Sequence, residues 1–127
     1  MKWKVEMDEG GRFVRALQWD EFSLDDEARF LSDIFAGEHW KPGLGVLIDY
    51  RGLLVTDLTE ADLKAIRVIF QSARVRLAPS KLALLCDTDE LFELGSHFGE
   101  LLAAKIENRV VVFRDEIAAS NWLVGPQ

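Results

Sequence analysis

Three apolar runs in this chain end in acids: GVLI in Asp49, KLALLC in Asp87 and RVVVFR in Asp115. If those runs are parallel strands, the acids sit at the carboxyl ends where open α/β sheets bind ligands. Three carboxylates there offer hard oxygen ligands to Mg²⁺, and with it phosphoryl chemistry. The same residues have a plainer use. Asp87 (or its neighbour Thr88) and Asp115 stand directly before helix-like stretches, as N-caps do. Asp49 precedes a turn whose backbone it can bond. Capping accounts for the acids without a metal, so no metal site is assigned. A phosphoacceptor receiver domain would need a paired acid after an early strand and a lysine after a late one. The late position here reads Arg114-Asp115.

The remaining reactive side chains are scattered. His39 lies in a loop beside Trp40, and His97 lies on a helix; neither has metal-ligand spacing to a Cys or another His. Cys86 is inside an apolar run, where burial raises a thiol's pKa and leaves it a small hydrophobe. GLGVLID has glycines but precedes a strand, whereas a dinucleotide loop follows one. There is no Gly-x-Ser-x-Gly elbow. No catalytic residue and no cofactor is assigned.

The elements that would position these groups follow from periodicity. WKVEMD alternates at strand period, Gly10-Gly11 suits a tight hairpin, and RFVRALQW returns as a second strand. Ser23 opens a helix, with Asp26 at the capping-box position and an apolar stripe through Leu24, Ala28, Leu31 and Phe35. GEHWKPGLG is a loop, and its Trp40 is the tryptophan expected to be exposed. GVLIDY is a short strand buried on both faces. Thr59 caps a helix with Asp62 as its box partner, and Leu63, Ile66, Phe70 and Ala73 recur along it. KLALLCD is a strand, and the helix after it carries Leu91, Leu94, Phe98 and Leu101, with Gly95 and Gly99 four apart to admit another backbone. RVVVFRD is a third buried strand. EIAASNWLVG is a closing helix, with Ala118 and Trp122 on one side and Gly125 and Pro126 as its stop. The order is β-β-α-β-α-β-α-β-α. It predicts one α/β domain over 1–127, a mixed five-stranded sheet with about four helices, its last three strands parallel and joined by right-handed crossovers.

Composition sets the bounds. A chain of 127 residues buries enough surface to fold without a disulfide or metal. A net charge of −7 repels phosphate backbones and anionic membranes, so neither nucleic acid nor membrane is an expected partner. One cysteine makes no internal disulfide, and MKWKVEMDEG lacks the apolar core of a signal peptide. The expected location is the cytoplasm.

Asp57-Leu58-Thr59-Glu60, after the strand VLID and a turn, resembles the Asp-Ser-Ser-Gly motif of STAS domains in anti-sigma-factor antagonists. The second serine of that motif is phosphorylated, and Thr59 stands in its place. Leu58 replaces the first serine and Glu60 the glycine. Glu60 would repel a phosphate on Thr59, so the cap explains Thr59 first and the phosphoacceptor role is an addition to it. VVVFRDEIAASNWLVG resembles the close of the bacterial SpoIIAA-like, or STAS/SEC14-like, subfamily. The resemblance implies a mixed sheet packed with helices and no enzyme activity.

The expected function is a non-catalytic bacterial regulatory or protein-interaction module. Its partner surface is placed at Leu53, Leu54, Val55, Asp57, Leu58 and Thr59, facing an unidentified protein. The opening hairpin leaves an edge strand that a second copy could pair, so a homodimer is compatible with the sequence. The alternative is a carrier of a small apolar, lipid-like ligand, its pocket lined by Phe30, Phe35, Phe70, Phe92 and Phe98.

Overall fold

The computed structural model describes residues 1–77, 79–106 and 108–125. Pro126, read as part of the closing stop, lies outside them. Five strands form one sheet in sequence order: β1 (Lys2–Met7), β2 (Phe13–Glu21), β3 (Gly45–Leu54), β4 (Leu82–Leu85) and β5 (Val110–Phe113). β1 runs antiparallel to β2, and every later neighbour is parallel. Helices α1 (Leu24–Ala36), α2 (Glu60–Ser72) and α4 (Asp89–Ala103) make the crossovers, α3 (Arg74–Leu77) adds one turn after α2, and α5 (Glu116–Val124) follows the last strand. The expected α/β fold with a mixed five-stranded sheet is thus present, with α3 as one short helix more.

Because each crossover advances one strand in the same direction, crossovers of one hand put their helices on one face. The core shows this. Val46, Ile48, Leu82 and Leu84 pack with Phe30, Ile34, Leu63, Phe70 and Leu102 of α1, α2 and α4. Their alternates Leu47, Ala83 and Leu85 pack with Ala119 and Leu123 of α5. The central strands are apolar throughout because both their faces are covered. α5 buries Ala119 and Leu123, not Ala118, which is exposed.

Three local expectations are corrected. The hairpin is not a two-glycine turn: residues 8–12 separate the strands, and of the two glycines only Gly11 has positive φ, at 65°. Asp8 organises the loop by accepting the backbone N–H of Arg12 and of Phe13. Ser23 makes no side-chain cap bond; Asp26 instead pairs with the N-terminal ammonium at 3.3 Å and with Arg29. β5 is not buried on both faces, because it is an edge strand, and Val111 is 37% exposed. At the opposite edge, the charged Lys2, Lys4 and Glu6 alternate along β1, and such charges discourage uncontrolled strand pairing. No helix among the described residues is long and apolar enough to cross a membrane.

Candidate functional site

The strand-end acids do not converge. Asp49 is buried on the α5 side, where Arg51 donates to it from its backbone N–H at 3.0 Å, from Nε at 3.0 Å and from Nη2 at 2.8 Å. Arg15 adds a contact at 3.4 Å, and Glu116 completes a two-acid, two-arginine cluster. Burial alone would raise the Asp49 pKa, but the Arg51 bonds and the two guanidinium charges outweigh it and hold it low. Asp115 accepts the N–H of Ala118 at 2.8 Å as the cap of α5. Thr88 caps α4 through Leu91 N–H at 3.2 Å, and Asp87 is exposed. Among the described residues, no three His, Cys, Asp or Glu side chains are grouped to hold a metal ion.

Thr59 is a complete cap. Its hydroxyl accepts Asp62 N–H at 3.1 Å, and Asp62 reaches back to Thr59 N–H at 3.0 Å. The hydroxyl is on the exposed side of the first turn. Glu60, its neighbour, is tied across to α4 by His97 at 2.8 Å.

The segment before that cap differs from the expected loop. β3 runs on to Leu54, and its register against β2 slips where Leu17 faces Asp49 but Trp19 faces Gly52. That bulge gives β3 one extra residue and reverses the in–out alternation beyond it. Leu53 therefore turns inward, 7% exposed, while Leu54 turns outward at 63%. The assignment of Leu53 to an exposed partner surface is corrected accordingly. Val55 and Leu58 are half-buried, Asp57 is exposed and held at φ 56°, and Thr59 faces solvent. Trp40 is not the free aromatic expected: it is half-buried and packs edge-on against Phe35, ring centres 4.9 Å apart.

Behind this segment lies a small, partly open apolar pocket of about 50 Å³. It sits on the helix-covered face at the carboxyl ends of β3 and β4, between α1, α2 and α4. Leu53, Val55 and Leu58 form one wall, and side chains of α4 form the opposite one. Of the five phenylalanines expected to line a pocket, only Phe98 does. Phe30 and Phe70 fill the core, Phe35 packs on Trp40, and Phe92 lies under Arg114. Gly95 is a consequence of close packing here, since a Cβ on it would stand 2.8 Å from Cys86 Sγ. Gly99 has no such constraint, its nearest contact being 3.5 Å.

Three polar groups break the apolar lining: Glu27, Tyr50 and Cys86. Glu27 is 1% exposed, and burial pushes its carboxyl up to about 7 despite the Gln18 amide that donates to it at 3.3 and 3.4 Å. Burial first, then the negative charges of Asp49 and Asp87, push the Cys86 thiol up to about 12, so it is inert as a nucleophile. Burial, followed by the Glu27 and Cys86 charges, places the Tyr50 phenol well above its ordinary value. Sequence reading passed over Glu27, though the signal was there. Leu24, Glu27, Leu31 and Ile34 fall at helical spacing, so the acid occupies the apolar stripe of α1.

Sheet order, the helix layer of three crossovers and, among the described residues, one helix on the reverse face make an α/β domain with a SpoIIAA-like fold. An uncharacterized protein of the DUF3478 family from Shewanella loihica PV-4, described as having a SpoIIAA-like fold, superposes with a TM-score of 0.62 at 13% identity. The match covers 96% of this chain and 92% of that one, and at that identity the likeness is one of fold. No family model and no curated protein matches the sequence.

Proposed function

We propose that this domain is a non-catalytic regulatory module in which a small apolar ligand and a protein partner are sensed by the same segment. One observation carries the reading. Residues 53–59 alternate between pocket and solvent: Leu53, Val55 and Leu58 line the pocket, while Leu54, Asp57 and Thr59 lie outside. A ligand pressing on the inner set moves the outer set, because both belong to one short stretch of backbone. Asp49 is absorbed in an ion-pair cluster, Asp115 in a cap, and the thiol is inert, which supports binding over catalysis. The partner is a protein with a complementary apolar spot for Leu54, and a phosphate on Thr59 would add about −1.5 to −2 charges beside it.

Two measurements test this. A partner captured by the wild-type chain should be lost with Leu54→Glu and kept with Val75→Glu, a change at another exposed apolar residue far along the sequence. Loss with neither variant removes the surface. Native mass spectrometry of freshly purified protein should show a small added mass that Leu53→Trp, which fills the pocket, abolishes; a clean mass from the native host removes the ligand.

A further inference from the structure

We propose that the pocket takes a small apolar amine, with its ammonium head seated on the Glu27 carboxylate and its hydrocarbon among the leucines of the β3–α2 segment and α4. This deepens the reading of the pocket as a ligand site and rests on it.

The argument begins with what Glu27 lacks. A carboxylate has about four acceptor positions. Among the described residues a single amide, from Gln18, contacts it, at 3.3 and 3.4 Å. Charge-assisted bonds to a carboxylate are nearer 2.7–2.9 Å, so even this contact is long. No arginine, lysine or histidine is among the described residues that line the pocket. Arg15 and Arg51, the arginines at this end of β2 and β3, are engaged by Asp49 and Glu116 on the opposite face. Behind Glu27, the amide oxygen of Gln18, which does not itself line the pocket, is buried with no partner among the described residues. Among the described residues the pocket thus presents a carboxylate with open acceptor positions, beside a neutral phenol and thiol and with no cation, a bias toward a ligand that donates and carries positive charge.

The rest of the pocket fixes the other end of that ligand. Apart from Tyr50 and Cys86 its lining is hydrocarbon, so it rewards an apolar body. Its volume of about 50 Å³ limits that body to a few heavy atoms unless the chain extends through the open side. The net charge of −7 draws cations toward the domain from a distance.

Burial, only partly offset by the Gln18 amide, keeps the Glu27 carboxyl near 7. An ammonium bound against it would favour the ionised form, so binding below that pH expels the carboxyl proton to solvent. Tyr50 and Cys86 are the other titratable groups lining the pocket, and both stay neutral through this range.

Calorimetry with the full chain tests the proposal, using n-butylamine and its neutral isostere 1-butanol as probes. The amine is expected to bind roughly tenfold or more tighter than the alcohol, the span of a charge-assisted hydrogen bond. Glu27→Gln should remove that preference. A second readout uses the unmutated protein. At about pH 6 the heat should vary with buffer ionisation enthalpy as one proton is released per complex, and at about pH 8 that dependence should vanish. Equal binding of amine and alcohol with no proton release keeps the pocket but overturns the amine. Failure of both probes to bind overturns the pocket as well.

Discussion

Replacing Glu27 with glutamine should make the protein more stable at neutral and alkaline pH, and the size of the gain follows from one side chain. The carboxyl titrates at 4.5 when solvated and at about 7 in the fold. Its folded pKa is raised, so the native state holds a proton that the unfolded chain has released between those values. The associated stability is fully present below about 4.5, declines as pH rises, and is gone above about 7. Each unit is worth 1.36 kcal/mol, so the loss amounts to about 3 kcal/mol. With 1% of the residue exposed, solvent screening takes little from that figure. Glutamine keeps the shape and cannot ionise, so the variant should match wild type at about pH 4.5 and exceed it by about 3 kcal/mol at pH 8. Against a typical total of 5–15 kcal/mol, that is a large change. Urea titrations at intervals from pH 5 to 8 would show it as a widening gap in midpoint at constant m, on the order of 1–3 M at the top. Other shifted groups stay outside this window. Asp8, Asp26 and Asp49 are held below the ordinary 3.8, and Cys86 lies near 12. Parallel stability curves for the two proteins from pH 5 to 8 would refute the reasoning, since Glu27 would then be solvated in the fold.

Other substitutions separate close neighbours. Gly95→Ala puts a methyl 2.8 Å from Cys86 Sγ and should destabilise by about 1–2 kcal/mol, relieved when Cys86→Ala is added. Gly99→Ala meets Val112 at an ordinary 3.5 Å and should stabilise by up to about 1 kcal/mol through helix propensity; thermal or urea melts of the four proteins check both. Leu53→Ala should cost about 2–4 kcal/mol and Leu54→Ala less than about 0.5, in the same melts, because the bulge turns only Leu53 inward. Thr59→Ala should cost about 1 kcal/mol by removing the acceptor of Asp62 N–H, and Thr59→Ser should restore most of it.

Much of the fold was legible because its signals are local and repeated. The double-sided burial of β3 and β4 shows as unbroken apolar runs, and the Thr59–Asp62 box shows as two residues three apart. Both depend on the backbone period alone. What was illegible depends on a single residue's displacement or on long-range company. The β3 bulge is marked in GVLIDYRGLLV by Gly52 alone, where a Cβ would stand 2.9 Å from Trp19 Cβ, yet it decides whether Leu53 or Leu54 faces water. The capping box at Ser23 failed because Asp26 found the N-terminal ammonium and Arg29, partners outside the local pattern. RVVVFRD looks as apolar as KLALLCD, and only sheet order makes it an edge. The pocket was sought among phenylalanines, which are large enough to fill a core on their own; it formed instead between the β3–α2 segment and α4, where Leu53, Gly95 and the buried Glu27 meet. Glu27 was the readable clue, an acid at an apolar position of α1.

The bulge has a further consequence for how the site could work. In a regular strand, residues that face a cavity and residues that face a partner alternate indefinitely, and pressure on one set is shared along the whole sheet. Here the sheet pairing ends at Leu54, and Asp57 is set at φ 56°, a left-handed backbone that an aspartate holds only at some cost. The Thr59 cap then fixes the chain to α2. Residues 55–58 are therefore a short bridge pinned at both ends, with Val55 and Leu58 on the pocket and a strained residue between. Under the proposed reading, a bridge with so few ways to yield would pass displacement at the pocket to Asp57 and the first turn of α2. Linkage would make such a coupling reciprocal: whatever factor a ligand added to partner affinity, the partner would add to ligand affinity.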